Sequence, residues 1–142
     1  MKYHFRVHRE KSGFWAEGLE LPHCQSQGDT QSELVENLKD ALDLLLSEPM
    51  DSDLLFPLPQ PSPKGKDILA IPVSPQVAIA ASIKRLRLSK GLSQQKMKEA
   101  LGIKSLWVYQ KLENPRTSNP QFKTLVKIKQ AFPDFDLDQI AA

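Results

Sequence analysis

Six of the 11 prolines in this 142-residue chain fall between Pro57 and Pro75. Proline fixes φ and has no N–H, so neither a helix nor a central strand runs through PLPQPSPKGK. The stretch has almost nothing to pack and reads as an extended connector of polyproline character over 57–67. After it, ILAIPV is short, apolar and β-branched, which suits an edge strand in spite of Pro72. Two domains follow: residues 1–73, with strand 68–73 folding back onto the first part, and residues 75–142.

Charge divides the chain at the same place. Residues 1–67 hold 7 Lys and Arg against 12 Asp and Glu, a net charge of −5, and residues 68–142 hold 12 against 5, a net charge of +7. An acidic half joined to a basic half points to two partners, one rich in cations and one a nucleic acid, unless the asymmetry is chance. No apolar run approaches the roughly 20 residues that span a bilayer, so no membrane partner is expected. The charged N-terminus MKYHFRVHRE has no apolar leader core. A single cysteine, Cys24, excludes an internal disulfide and a cysteine-rich zinc site, and a reducing, cytoplasmic setting is expected.

In the first domain Tyr3, Phe5 and Val7 alternate with His4, Arg6 and His8, the period of a half-buried strand. Lys11-Ser12-Gly13 is a turn, and Phe14–Leu19 returns as a second strand. Residues 24–27 supply a short third strand ending at Gly28-Asp29. Thr30 and Glu33 have capping-box spacing. Behind them Leu34, Leu38, Ala41, Leu42 and Leu45 form one helical face, widened by Val35, Leu44 and Leu46. The expected unit is a helix laid on a small antiparallel sheet. It offers little chemistry. His4 and His8 stand on one strand face with Arg6 between them, which disfavours a metal. Cys24 and His23 are adjacent on an extended segment and point to opposite faces, which disfavours a thiol nucleophile. No glycine-rich phosphate loop follows a strand. No catalytic residue, metal or cofactor is expected, and the chain is not read as an enzyme.

The run GFWAEGLELPHCQSQGDTQSEL and the amphipathic helix after it resemble the N-terminal segment of HicB-type antitoxins over roughly residues 3–73. The resemblance implies a truncated RNase H-like fold. An active RNase H site needs carboxylates clustered on strands to hold metal ions. Here the first strand has no Asp and the second offers only Glu17 and Glu20, so a scaffold without that chemistry is implied. The implied partner is a HicA-type mRNA interferase toxin. Its basic surface would meet the outer strand face with His4 and Arg6, and the acidic segment with Glu48, Asp51 and Asp53.

The second domain is punctuated into four or five short helices. Ser74-Pro75 opens the first, where Ile79, Ile83 and Leu86 make a face and Lys84, Arg85 and Arg87 lie off it. Gly91 ends it. Ser93 caps a second helix carrying Met97 and Leu101, and Gly102 ends that one. Ser105 caps a third, anchored by Val108 and Leu112. Asn119-Pro120 opens a fourth with Phe122, Leu125, Ile128 and Phe132 on its face, and Asp136 caps a last turn. Two short helices around a glycine turn within an all-α bundle describe a helix-turn-helix. LSQQKMKEALGIKSLWVYQKLE is similar to the Cro/CI (Xre-like) signature, with Lys98 where that family usually places a small residue. The resemblance implies that Gln94 contacts phosphate at the start of the second helix and that the recognition helix follows Lys104.

Lysines and arginines supply phosphate affinity, whereas base reading needs side chains such as Gln or Ser on the recognition helix. The candidate residues for double-stranded operator DNA are Gln94, Gln95, Lys104, Ser105, Trp107, Tyr109, Gln110, Lys111 and Arg116. Tyr109 has the alternative of packing beside Leu112. Trp107 has two equal readings, contact with thymine methyl groups or packing under the loop 114–119. One such unit reads few base pairs, so a homodimer or higher homo-oligomer is expected, with the apolar tail 132–135 as interface material. The leading reading is a type II antitoxin that represses its own operon. The alternative is a transcriptional regulator whose first domain senses a small molecule.

Overall fold

The computed structural model describes residues 1–47 and 51–142, which form two compact units. One is built from residues within Met1–Glu48 together with Phe56–Ser74, and the other from Pro75–Ala142, with residues 51–55 grouped with it. The first holds a four-stranded sheet and one helix, the second five helices, so the described chain is α+β.

In the first unit β1 (Lys2–Glu10) turns at Lys11-Ser12 into β2 (Gly13–Gly18), as the alternation predicts. β3 (Gln25–Gly28) pairs with β2 and β4 (Ile68–Pro72) pairs with β1. The order is β3-β2-β1-β4, every neighbour antiparallel, and Pro72 ends an edge strand where its missing N–H is tolerated. α1 (Gln31–Leu46) starts at the capping box. Thr30 Oγ1 accepts from the Glu33 N–H at 3.1 Å, and Glu33 Oε2 accepts from the Asp29 N–H at 3.3 Å. Leu34, Leu38, Leu42 and Leu46 are buried at every fourth position, and Tyr3, Phe5, Ala16 and Ile71 of the sheet are buried too. Each such leucine contributes roughly 1.5–3 kcal/mol by leaving water. Leu44, expected to widen this stripe, is exposed, because two residues beyond Leu42 is the far side of a helix. α1 lies so close to β3 that a Cβ on Gly28 would come within 2.5 Å of the Leu34 backbone nitrogen. The glycine of QGDT is therefore required by helix–sheet contact.

The proline-rich stretch, expected to be an extended connector with almost nothing to pack, is held by the first unit. Phe56–Ser74 belongs to the first unit. The Tyr3 hydroxyl donates to the Pro57 carbonyl at 2.8 Å, and the Gln60 N–H donates to Glu20 Oε2 at 3.0 Å. Prolines lack donors but keep their carbonyls, and the sheet uses one of these. Ser74 ends the unit, its N–H and hydroxyl both donating to the Asp43 carboxylate.

The second unit comprises α2 (Pro75–Ser89), α3 (Gln94–Ala100), α4 (Leu106–Glu113), α5 (Phe122–Ala131) and α6 (Leu137–Ala141). α2 and α3 end in the same way. Gly91 and Gly102 take φ of +66 and +67. The next N–H, of Leu92 or Ile103, then reaches back to the carbonyl of Arg87 or Lys98 at 3.1 and 3.0 Å. This is a Schellman closure, and it turns Leu92 and Ile103 onto the core. Ser93 and Ser105 cap α3 and α4 by accepting from Lys96 N–H and Val108 N–H, and Asp136 caps α6. The core joins Ile83, Leu86, Met97, Leu101, Tyr109, Leu112, Ile128 and Phe135.

Three expectations are corrected here. α4 is anchored by Tyr109 and Leu112, while Val108 is exposed: a helix starting after Ser105 turns positions 109, 112 and 113 inward. α5 starts after Gln121 with no side-chain cap, so Asn119-Pro120 does not open it, and Phe122 lies 80% exposed at its first position. Phe135 is a core residue and Phe132 packs partly against that core, so the tail 132–135 is consumed inside the unit.

Candidate nucleic-acid interface

α3 and α4, joined by the Gly102 turn, are held by a buried ion pair between α2 and α4. Arg87 Nε and Nη2 donate to Glu113 Oε1 and Oε2 at 2.5 and 3.2 Å, while Arg87 Nη1 donates to the Leu92 carbonyl at 2.9 Å. The Tyr109 hydroxyl donates to Glu113 Oε1, and Gln94 Nε2 donates to Glu113 Oε2 at 3.0 Å. Glu113 is only 3% exposed, and four side-chain bonds satisfy its carboxylate, as a buried charge requires. Burial works against the charged Arg87 guanidinium, but the bonds and charge of Glu113 outweigh it and raise its pKa.

This centre corrects two readings. Tyr109, a base-contact candidate, is fully buried and spends its hydroxyl on Glu113. Arg87, placed off the apolar face by sequence, is buried on it, and so is Lys84, which removes both from the exposed basic surface. Sequence reasoning missed Arg87 and Glu113 as partners. The one available signal is the Glu that closes the helix-turn-helix pattern after an apolar residue. Burial, followed by the neighbouring Glu113 carboxylate, pushes the Tyr109 phenol well above its ordinary 10.0. The neutral phenol stabilises the folded state fully below pH 10, and that contribution is lost as pH rises beyond it, because only the unfolded chain ionises readily there. The expected result is that the tyrosinate absorbance assigned to Tyr109, by difference from Tyr109→Phe, appears together with unfolding in an alkaline titration.

The same carboxylate orders the outer residues. Glu113 fixes Gln94, and Gln94 Oε1 accepts from Gln110 Nε2 at 3.1 Å, so the start of α3 and the middle of α4 carry a linked amide pair. Lys104, Trp107, Lys111 and Arg116 are exposed, and Ser105 is half-buried with its oxygen engaged as the α4 cap. Gln95 is exposed and donates to Glu99 within α3. Lys98 Nζ lies 3.5 Å from the Lys104 carbonyl across the turn, so its long side chain spans the place expected to hold a small residue. Trp107 is 63% exposed and does not pack under the loop 114–119, and Lys111 Nζ sits 3.6 Å from the centre of its ring.

The profile of a family described as helix-turn-helix matches residues 83–140. Residues 83–140 are a helix-turn-helix domain of the Cro/CI type. The second unit is therefore of a kind that serves DNA binding in transcription regulation. No curated protein matches the chain. No helix among the described residues is long and apolar enough to cross a membrane.

The first-unit candidates do not converge. His4 is buried, not open beside Arg6: its N–H donates to Glu20 Oε1 at 3.0 Å and its Nδ1 lies 2.8 Å from Glu20 Oε2. Glu20, which the sequence reading weighs only as one of too few carboxylates for a metal, joins His4 of β1 to Gln60 of the proline-rich stretch. Arg6 is exposed and pairs in register with Glu17. Asp51 and Asp53 are exposed but fall outside the first unit, and Glu48 lies outside the described residues. Cys24 is buried, and desolvation pushes its thiol up, away from the reactive thiolate. A groove of about 620 Å³ opens beside β3 and the start of α1, where Glu10, Asp29 and Glu33 line it together with Gln25, Gln27 and Asn37, and no lysine or arginine does.

Proposed function

We propose that the protein is the antitoxin and autorepressor of a type II toxin–antitoxin pair. Its second unit binds operator DNA, and its first unit binds and masks an mRNA-cleaving toxin of the HicA type. The observation that carries the DNA half is the exposed first turn of α4, set beside Lys104 and Lys111 on a scaffold in which Glu113 aligns Gln94 and Gln110. Lys104, Lys111 and Arg116 contribute phosphate affinity, and Gln94 and Gln110 supply amides to phosphate and base edges. The protein acts as a two-fold dimer on half-sites about 34–36 Å apart.

The toxin half rests on the HicB-like hairpin, LPHC, QGDT and helix, a truncated RNase H-like scaffold in this reading, and on the −5 charge of residues 1–67. The carboxylate-lined groove beside β3 supports it further. Small-molecule sites are predominantly apolar and enclosed, whereas this groove is open and polar, which favours a cationic protein surface over a sensed metabolite. An RNA-cleaving toxin presents such a surface to phosphates, and an acidic unit competes for it without catalysis of its own. Both partners are cytoplasmic in this account.

Co-expression with a toxin of the HicA type tests the division of labour. The full chain is expected to restore growth, and Lys104→Glu to keep that rescue while losing repression. Glu10→Lys with Asp29→Lys is expected to lose rescue and keep repression. The reverse pattern contradicts the assignment.

A further inference from the structure

α4 meets water with an unusual first turn. Leu106, Trp107 and Val108 are all exposed, directly after the Ser105 cap. Tyr109, Leu112 and Glu113 turn inward, so Trp107 and Lys111, one turn apart, stand on the opposite face. An indole left in water on a rigid helix loses apolar free energy unless a ligand covers it. Lys111 Nζ lies over its ring, and such a contact limits the rotamers of both side chains.

We propose that Trp107 is a specificity residue that reads a thymine through its C5-methyl group, and that Lys111 is its positioning partner. The inference rests on the DNA-binding reading above and deepens it. The occupant of this face is DNA because the apolar turn is set among exposed Lys104 and Lys111, which suit phosphate. The first residues of a recognition helix are those that reach base edges in the major groove. There the thymine methyl is the apolar group a base pair presents, and it is what an indole face can recognise without hydrogen bonds. Lys111, expected from sequence as a general phosphate contact, acts first on Trp107, and its charge stays beside the ring at the neighbouring base or phosphate.

Uracil in place of thymine removes only that methyl group and provides the test. Duplexes enriched by the full chain from a random pool are remade with uracil at each thymine in turn, and affinities are measured at fixed salt. At one thymine per half-site, wild type is expected to lose about threefold to tenfold in affinity. Trp107→Ala is expected to bind the thymine and uracil duplexes equally while keeping its preferences elsewhere. Lys111→Met is expected to shrink the thymine/uracil ratio and Lys111→Arg to restore it, which general loss of phosphate affinity would not do. Circular dichroism of each variant controls for folding. The inference is overturned if wild type shows no uracil effect at any position, or if Trp107→Ala keeps the wild-type ratio. It is equally overturned if Trp107→Ala changes only self-association, which would make this face a protein contact. If wild type retains no duplex from the pool, the DNA-binding reading itself fails, an outcome distinct from these.

Discussion

Replacing Glu113 by alanine is expected to destabilise the second unit by about 3–5 kcal/mol, the cost of leaving a buried Arg87 without its counter-charge. Few single changes here should cost more. Arg87 reaches both Glu113 and the Leu92 carbonyl, so the pair ties α2 to the entry of α3 and to the end of α4. Tyr109 and Gln94 lose their acceptor in the same substitution, and Gln94 then no longer holds Gln110. DNA affinity should therefore fall even at temperatures where the unit remains folded. Urea unfolding measures the stability term. The paired change Arg87→Met with Glu113→Leu should cost less than Glu113→Ala alone, because no buried charge is then left unmatched. A paired variant as unstable as the single one would contradict this account of the centre.

Phe5→Ala is expected to remove about 3–5 kcal/mol from the first unit. Phe5 is fully buried on the central strand β1, flanked in register by Gly18 of β2 and Leu69 of β4. The second unit has a core of its own, so DNA binding should survive, while the toxin masking proposed for the first unit should be lost. Calorimetry should show one transition moved to lower temperature and the other retained. A single shared transition that shifts as a whole would show that the two cores unfold together.

Much of this architecture was legible because it is local. The strand alternation around Phe5, the Thr30–Glu33 capping box, the Ser93 and Ser105 caps and the Gly91 and Gly102 stops each involve residues within a few positions of one another. What escaped notice depends on partners far apart in the chain. Arg87 and Glu113 are 26 residues apart, His4 and Glu20 are 16 apart, Glu20 and Gln60 are 40 apart, and Tyr3 and Pro57 are 54 apart. A charged residue among apolar neighbours looks solvated until its partner is known, which is why the sequence alone puts Arg87 on the surface and His4 on an open face. Tyr109 shows the complementary difficulty. An amphipathic side chain on a recognition helix suits both a base edge and a core, and the Glu113 carboxylate decides for the core. The spacing of Phe122 from Leu125 suits the core, but at the first position of α5 it stays exposed. Around α4 the exposure of Lys104 and Lys111 and the place of Gln94 at the start of α3 were legible, whereas the stacking of Lys111 on Trp107 was not.

If α4 and its basic surroundings bind DNA, the affinity must depend on salt. The full chain is titrated against the DNA upstream of its own gene by fluorescence anisotropy over a series of salt concentrations. The logarithm of the affinity should fall linearly with the logarithm of salt, and Lys104→Ala should weaken binding to all sequences and flatten the slope by about one unit. Gln110→Ala should leave the slope unchanged and relax preference at one base pair by roughly 1–3 kcal/mol. Binding that is absent, or that is insensitive to both salt and Lys104→Ala, would contradict the account.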